Sequence, residues 1–468
     1  MGSLSPTSFH VKKIAIIGAG PCGLSAAKYL KAQGTFESIV IFDQQDEVGG
    51  VWYYSQRPPD PSPVPHQDPF VPLDEFGHWP DDRDAPSFSS AMYEVLHANI
   101  PSSLMRFSDQ EFPQSAKIYP SRESIHEYLV RYAADVRDLI KFSFQVKDIK
   151  LLSDDQGRDK WFLKAASLTN DERVKEVFDA VVIANGHSYI PYIPDRKNMR
   201  EFHQAYPDVI LHSRQFRSAK QFSDKKVVVV GNGPSGADIG HQINQECRKP
   251  ALLSVRSPTP QQLLDYTGCL EVPGIEKFLI EEKGVRFTNG RVETDIDAIV
   301  FCTGFLFNYP FFNGLERKLM TTGKGVHGLY KHLFCIQHPT LVFPSINKKT
   351  IPWPQSETQA AVFAAVWSND LDLPTGQEME EWSKELEEEQ GESLHLFGPN
   401  EDGHYINEFH DWAVRARHLG KEPPRWDDEK FWERSIYAAA KVRFEEQGCQ
   451  ANTLDDLGFR YRPGWKAQ

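Results

Sequence analysis

The chain of 468 residues has little that would staple it, hold a metal or anchor it in a membrane. Its six cysteines stand at 22, 247, 269, 302, 335 and 449, the closest two 22 positions apart. No CxxC or Cys/His ligand spacing exists, so neither a redox dithiol nor a metal site is expected, and the thiols read as reduced and mostly buried. No stretch reaches the roughly 18 apolar residues of a membrane span. The opening MGSLSPTSFHVKK has no apolar leader core, and Pro6 stands where an N-myristoylation pattern needs Ser or Thr. A Lys/Arg block that could follow a phosphate backbone is missing as well, and the formal charge is −13. Nucleic acid is therefore excluded as a partner. These absences leave a long, multi-domain globular chain with the cytoplasm as its default location. Oligomeric state is open, a homo-oligomer included.

What the chain does have is one Gly-rich design built twice. Residues 13–17, KIAII, form a short β-branched run, the pattern of a strand buried on both faces. Gly18, Gly20 and Gly23 follow it. Leu24, Ala27 and Leu30 then recur at helical spacing, Gly34 ends the helix, and a second strand runs from Ser38 to Phe42. The first glycine permits a tight turn, the second lets a pyrophosphate approach the backbone, and the third lets helix and strand pack closely. Asp43 ends the second strand, where a carboxylate accepts hydrogen bonds from ribose hydroxyls. This combination points to an adenine dinucleotide with an unphosphorylated ribose.

The second unit repeats the plan with strand Val227–Val230, glycines Gly231, Gly233 and Gly236, a helix, and the strand ALLSV at 251–255. Its second strand ends in Ser254, Val255 and Arg256 rather than in an acid. An arginine there suits the 2′-phosphate of NADP through a charge-assisted fork. The first unit then holds FAD, the second NADPH, and a hydride passes between them.

The fold class that follows is α/β, with two Rossmann-like dinucleotide-binding domains and a helical C-terminal tail. The FAD domain is assembled from residues 1–209 and 298–468, with the NADPH domain inserted at 210–297. The chain leaves at ANGH (184–187) and returns at FCTGF (301–305). Seven prolines in residues 57–72 predict a surface excursion, and the apolar residues of 89–107 return at helical spacing. Ser121 is placed to cap a helix. In the tail, Met379, Trp382 and Leu386 stripe an acidic helix, while Trp412, Trp426, Trp432 and Tyr437 read as core packing.

Several segments together resemble the class B flavin-containing monooxygenases, in particular their soluble fungal type. GGVW (49–52), LHANIPSSLMRF (96–107), ANGH, LYKHLF (329–334) and SETQAAV (356–362) are each similar to family segments. The likeness spans about residues 13–367. The family signature F-x-G-x-x-x-H-x-x-x-[Y/F] meets Tyr206, Asp208, His212 and Phe216, so its His and last aromatic match while its first two positions depart. His212 reads as a structural hydrogen-bonding residue of the linker.

The resemblance implies an NADPH- and O2-dependent enzyme that forms a C4a-hydroperoxyflavin and oxygenates an amine nitrogen or a sulfur of a small molecule, an amine, sulfide or thiol. It implies a role for Asn99 beside the flavin, as the catalytic side chain. Cofactor contacts are implied at Gly50, Val51, Trp52 and Val146, at Ser235 and Asp238 in the second unit's helix, and at Thr303 and Gly304. No metal and no acid/base triad is required.

Other readings stay open. A Baeyer–Villiger enzyme has a signature ending in Trp-Pro, whereas here Phe216 is followed by Arg217. An amino-acid N-hydroxylase is compatible with the same cofactors. An NADPH-flavin reductase that inserts no oxygen would not need the Asn99 segment, and a non-catalytic flavin-binding regulator would not need intact glycines in both units.

Overall fold

The computed structural model describes residues 8–74, 86–312, 315 and 319–465; residues 1–7, with Pro6, lie outside the described residues. The first Gly-rich unit lies in a seven-stranded sheet in which the strand Lys13–Ile17 pairs in parallel with Ser38–Phe42 on one side and with the central strand, Ala180–Ile183, on the other. The double burial expected of KIAII takes a definite form. Ile14 and Ile16 enter one core with Leu24, Ala27 and Leu30 of the helix Pro21–Gln33, while Ala15 and Ile17 enter another with Trp161, Leu163 and Phe178. The second core lies against an antiparallel sheet of Phe144–Ser153, Asp159–Ser167 and Arg173–Phe178. Gly34 ends the helix at φ +74°, a left-handed conformation that glycine adopts without strain.

The second unit has its own five-stranded parallel sheet, in the order Leu270–Pro273, Leu252–Val255, Val227–Val230, Ala298–Phe301, Ile210–His212. Val228 faces one core, and Val227 and Val229 face the other. Ala298–Phe301 belongs to this sheet, so the strand lies on the far side of the boundary read at 297, and the chain leaves the second unit at the FCTGF segment.

The described residues of 53–101 contain no helix or extended strand. The helical spacing in 89–107 yields only the short helix Ser102–Met105, capped by Pro101. Helix Arg122–Tyr132 begins where expected, with the Ser121 hydroxyl accepting from Ser124 N. In the tail, Met379, Trp426 and Trp432 are buried, and no helix among the described residues is long and apolar enough to cross a membrane.

The SETQAAV segment lies in the helix Pro352–Trp367, which packs on Pro21–Gln33. Its Glu357 is fully buried, accepting from Ser108 N at 2.9 Å and Ser108 Oγ at 2.6 Å, with Lys421 Nζ at 3.7 Å. Burial outweighs these partners and raises its pKa from 4.5 to about 7. The folded chain thus keeps a proton that the unfolded chain releases, so this carboxyl lowers stability as pH rises from about 4.5 through 7. Glu357→Gln, which stays neutral, is expected to gain about 2 kcal/mol relative to the parent between about pH 5 and 8. Denaturant unfolding at both pH values checks this; a difference that does not change with pH contradicts it.

Candidate active site

A cavity of about 460 Å³ opens at the C-terminal ends of the strands Ser38–Phe42, Lys13–Ile17 and Ala180–Ile183 of the first sheet. It is lined by Gly18, Gly20, Asp43, Gly50, Val51, Trp52 and Val146, and so brings together seven residues that sequence reasoning assigned to one cofactor. Gly18 sits at φ +105°, and a Cβ there would lie 2.5 Å from the Ala184 carbonyl oxygen. Gly23 lies beneath the cavity rather than on its wall; a Cβ on it would come within 1.9 Å of Gly18 O. The helix starting at Pro21 has no side-chain cap. Its first N–H groups therefore remain available to phosphate oxygens.

Asp43 is buried and held on both oxygens: Ala19 N donates to one at 2.6 Å and Gln45 N to the other at 2.8 Å. Burial nevertheless pushes its pKa up to about 6. Each oxygen keeps a second lone pair for a ribose hydroxyl. The apolar walls, the glycine cradle and this carboxylate fit an adenine dinucleotide.

The same cavity is lined by residues that no local pattern reveals, among them Gln45, Tyr189, Asn308, Ser345 and Trp353. Gln45 bonds the Phe88 backbone in both directions, at 2.9 and 3.2 Å. The ANGH segment supplied a partial signal, since all four of its residues line the wall. Cys22 lies there too, with burial raising its pKa to about 11, and every described cysteine is free. A thiol so far from ionising is a poor redox nucleophile.

The second unit reproduces the first. Gly231 stands at φ +108° with a Cβ position 2.8 Å from Cys302 O, and a Cβ on Gly236 would approach Gly231 O to 1.9 Å. Gly233 and Ser235 are exposed at the uncapped start of helix Pro234–Glu246, with open space over Gly233. Arg256 is exposed and has no hydrogen bond or ion pair among the described residues, and its charge reaches Lys324. Lys324 is itself paired with Glu392 at 2.6 Å, so Arg256 is the unpaired cation at the end of this strand among the described residues.

Other expected residues are committed to the protein. The Ser254 hydroxyl donates to Pro273 O at 3.0 Å while its carbonyl accepts from Gly231 N at 2.9 Å. Asp238 accepts from the Tyr93 hydroxyl and from Gln242 Nε2. Thr303 donates to Tyr192 O, and Gly304 O accepts from Tyr192 N at 2.9 Å. His212 Nε2 donates to Gly304 O at 3.0 Å and its Nδ1 accepts from Arg214 N at 3.1 Å. Burial lowers its pKa to about 3, so it is a neutral brace between the two units. Asn99 is exposed beside Ile100, which lines the cavity, and makes no hydrogen bond among the described residues.

Distance in sequence hid one cluster: His97, Glu445 and Cys449 place ligand-type atoms within 4.8 Å of one another. Glu445 is already paired with Lys441 at 2.5 Å, and the Cys449 thiol donates to it at 3.0 Å.

Two glycine cradles, each at the end of a parallel-paired strand, one unit ending its second strand in a carboxylate and the other in a free arginine, define an oxidoreductase with two dinucleotide-binding units. Comparison with known proteins narrows this. The profile described as flavin-binding monooxygenase-like matches residues 74–261 and 260–416, and an NAD(P)-binding Rossmann-like domain matches 16–70. The chain is 30% identical over 379 residues to the thiol-specific monooxygenase of Saccharomyces cerevisiae, covering 78% of this chain and 79% of that protein. It is 28% identical over 377 residues to a trimethylamine monooxygenase of Methylocella silvestris, covering 78% and 76%. The structure of an S-allyl-L-cysteine S-oxygenase from Allium sativum superposes with a TM-score of 0.77 at 25% identity, covering 97% of this chain and 98% of that one.

The chain belongs to the flavin-containing monooxygenase family. It is an NADPH-dependent FAD monooxygenase, and its chemistry falls within flavin-dependent oxygenation of nitrogen or sulfur.

Proposed function

We propose that this enzyme transfers one oxygen atom from O2 to the sulfur of a small thiol or sulfide, or to the nitrogen of a small amine, with NADPH as the electron source. FAD supplies the electron transfer and oxygen activation. The protein's own residues bind, orient and exclude water. Gly18, Gly20 and the free helix start hold the FAD pyrophosphate, with Asp43 on the ribose. Gly231, Gly233 and Ser235 hold the NADPH pyrophosphate, and Arg256 holds its 2′-phosphate. The cavity wall at Val51, Trp52, Ile100 and Trp353 is apolar and keeps bulk water from the reacting atoms. Asn99, at the edge of that wall, offers an amide N–H and an amide oxygen to whatever stands between the two cofactors.

The observation that carries this reading is the contrast between the two strand ends, Asp43 in one unit and Arg256 in the other. The lone, un-ionised Cys22 speaks against disulfide reduction. Relatives that act on a thiol, on S-allyl-L-cysteine and on trimethylamine support a soft nucleophile as substrate. The domain division proposed is 1–209 and the residues after Phe301 for FAD, with 210–301 for NADPH, since the strand Ala298–Phe301 pairs within the second sheet and the joint falls at the FCTGF segment.

Arg256→Ala is expected to lower the preference for NADPH over NADH by at least about tenfold, through the KM for NADPH rather than kcat. Steady-state kinetics with both nucleotides checks this. An unchanged preference removes Arg256 from the phosphate site.

A further inference from the structure

Residues 88–96 form neither helix nor strand, so bonds to other segments set their shape. Phe88 is held by Gln45 of the first unit, whereas the bonds of residues 90–95 run to the second. Arg217 Nη1 donates to Met92 O and Nη2 to Ser90 O, both at 3.1 Å, while the Arg217 carbonyl accepts from Glu94 N at 2.8 Å. Gln242 Nε2 donates to Val95 O at 3.0 Å, and the Tyr93 hydroxyl donates to Asp238. At Leu96 the partners change: its carbonyl accepts from Arg122 N at 3.0 Å, and Ala98 N donates to Pro120 O at 2.9 Å. These partners belong to the start of helix Arg122–Tyr132, which packs into the core of the first unit. Asn99 follows directly. It is exposed and has no hydrogen bond of its own among the described residues, so its flanks alone fix it.

The Arg217 side chain is committed to backbone carbonyls. Its guanidinium has no carboxylate partner among the described residues, and its two terminal nitrogens donate to five carbonyls, those of Arg57, Ser90, Met92, Arg214 and Phe216. The four N–H groups at the ends of the planar fork serve these five carbonyls, Nη1 sharing its two among three, whereas an ammonium has three donors.

We propose that Arg217 is a positioning residue that acts through Asn99: by fastening residues 90–94 to the NADPH unit, it ties that unit to the stretch that Leu96 and Ala98 hold on the first unit, and so fixes Asn99 relative to both. This rests on Asn99 facing the reacting atoms.

The test uses the full-length, FAD-loaded enzyme carrying Arg217→Lys, Tyr93→Phe, Asn99→Ala, and Arg217→Lys combined with Asn99→Ala. Two quantities are read: the rate of flavin reduction by NADPH, and the fraction of oxidised NADPH that yields oxygenated product rather than peroxide. Arg217→Lys is expected to keep its FAD and its reduction rate while the coupled fraction falls roughly tenfold. Tyr93→Phe, which removes one hydroxyl, is expected to act in the same direction, and the double variant to be no worse than Asn99→Ala alone. A merely structural role would lower FAD content and reduction together and would add to the effect of Asn99→Ala. Full coupling in both Arg217→Lys and Tyr93→Phe, or additivity in the double variant, overturns the proposal alone. Full coupling in Asn99→Ala overturns the role of Asn99 and this proposal with it.

Discussion

Asn99→Ala is expected to oxidise NADPH at close to the parent rate while releasing most of the consumed oxygen as hydrogen peroxide. No described residue hydrogen-bonds this amide, although it stands next to Ile100 on the cavity wall. An exposed side chain without a partner contributes little to stability, so its loss leaves the fold and the FAD cradle intact. A positioned donor at a reacting centre, in contrast, is worth on the order of a hundredfold in rate when removed. Oxygen transfer slowed by that factor loses to peroxide release. Flavin content, the ratio of peroxide to NADPH consumed, and product yield check this together. A fully coupled variant removes Asn99 from the chemistry.

Alanine at the third glycine of each unit is expected to separate the two cofactors. In Gly23→Ala the new methyl would lie 1.9 Å from Gly18 O, and in Gly236→Ala it would lie 1.9 Å from Gly231 O. Backbone oxygen cannot swing aside as a side chain can, so helix and turn must separate. Overpacking of this kind costs about 1–3 kcal/mol, and more where backbone is the obstacle. Gly23→Ala is therefore expected to purify largely without FAD. Gly236→Ala is expected to keep FAD and to lose most of its reduction by NADPH, with dithionite still reducing the flavin. Absorbance spectra and anaerobic reduction rates distinguish the two. Equal loss of FAD in both variants contradicts the assignment of one dinucleotide to each unit.

The two units were legible because their constraints are local. A strand buried on both faces needs β-branched residues in unbroken succession, a left-handed turn needs Gly18 or Gly231, and a close approach needs Gly23 or Gly236. Gly34 and Ser121 mark helix ends for equally local reasons. The segment 89–107 misled because its apolar residues do repeat at helical spacing, yet Pro101 interrupts the run and bonds to Arg217, Gln242 and Asp238 hold residues 90–95 in an irregular path. The cavity wall was only half legible. Tyr189, Asn308, Ser345 and Trp353 reach it from separate segments, and no spacing rule joins them. Ser254 and Asp238 illustrate the converse, since sequence position puts them beside a cofactor while hydrogen bonding turns them toward Pro273 and Tyr93.

The most direct test is to turn the FAD-loaded enzyme over with NADPH and isotopically labelled O2 in the presence of a small panel of thiols, sulfides and tertiary amines. Mass spectrometry of the organic products and of the peroxide then follows the label. One labelled oxygen atom in the sulfur or nitrogen oxide of at least one compound, with NADPH consumed in step, is the result predicted here. Label confined to peroxide and water across the whole panel, at an undiminished rate of NADPH oxidation, would contradict the assignment and leave a flavin reductase in its place.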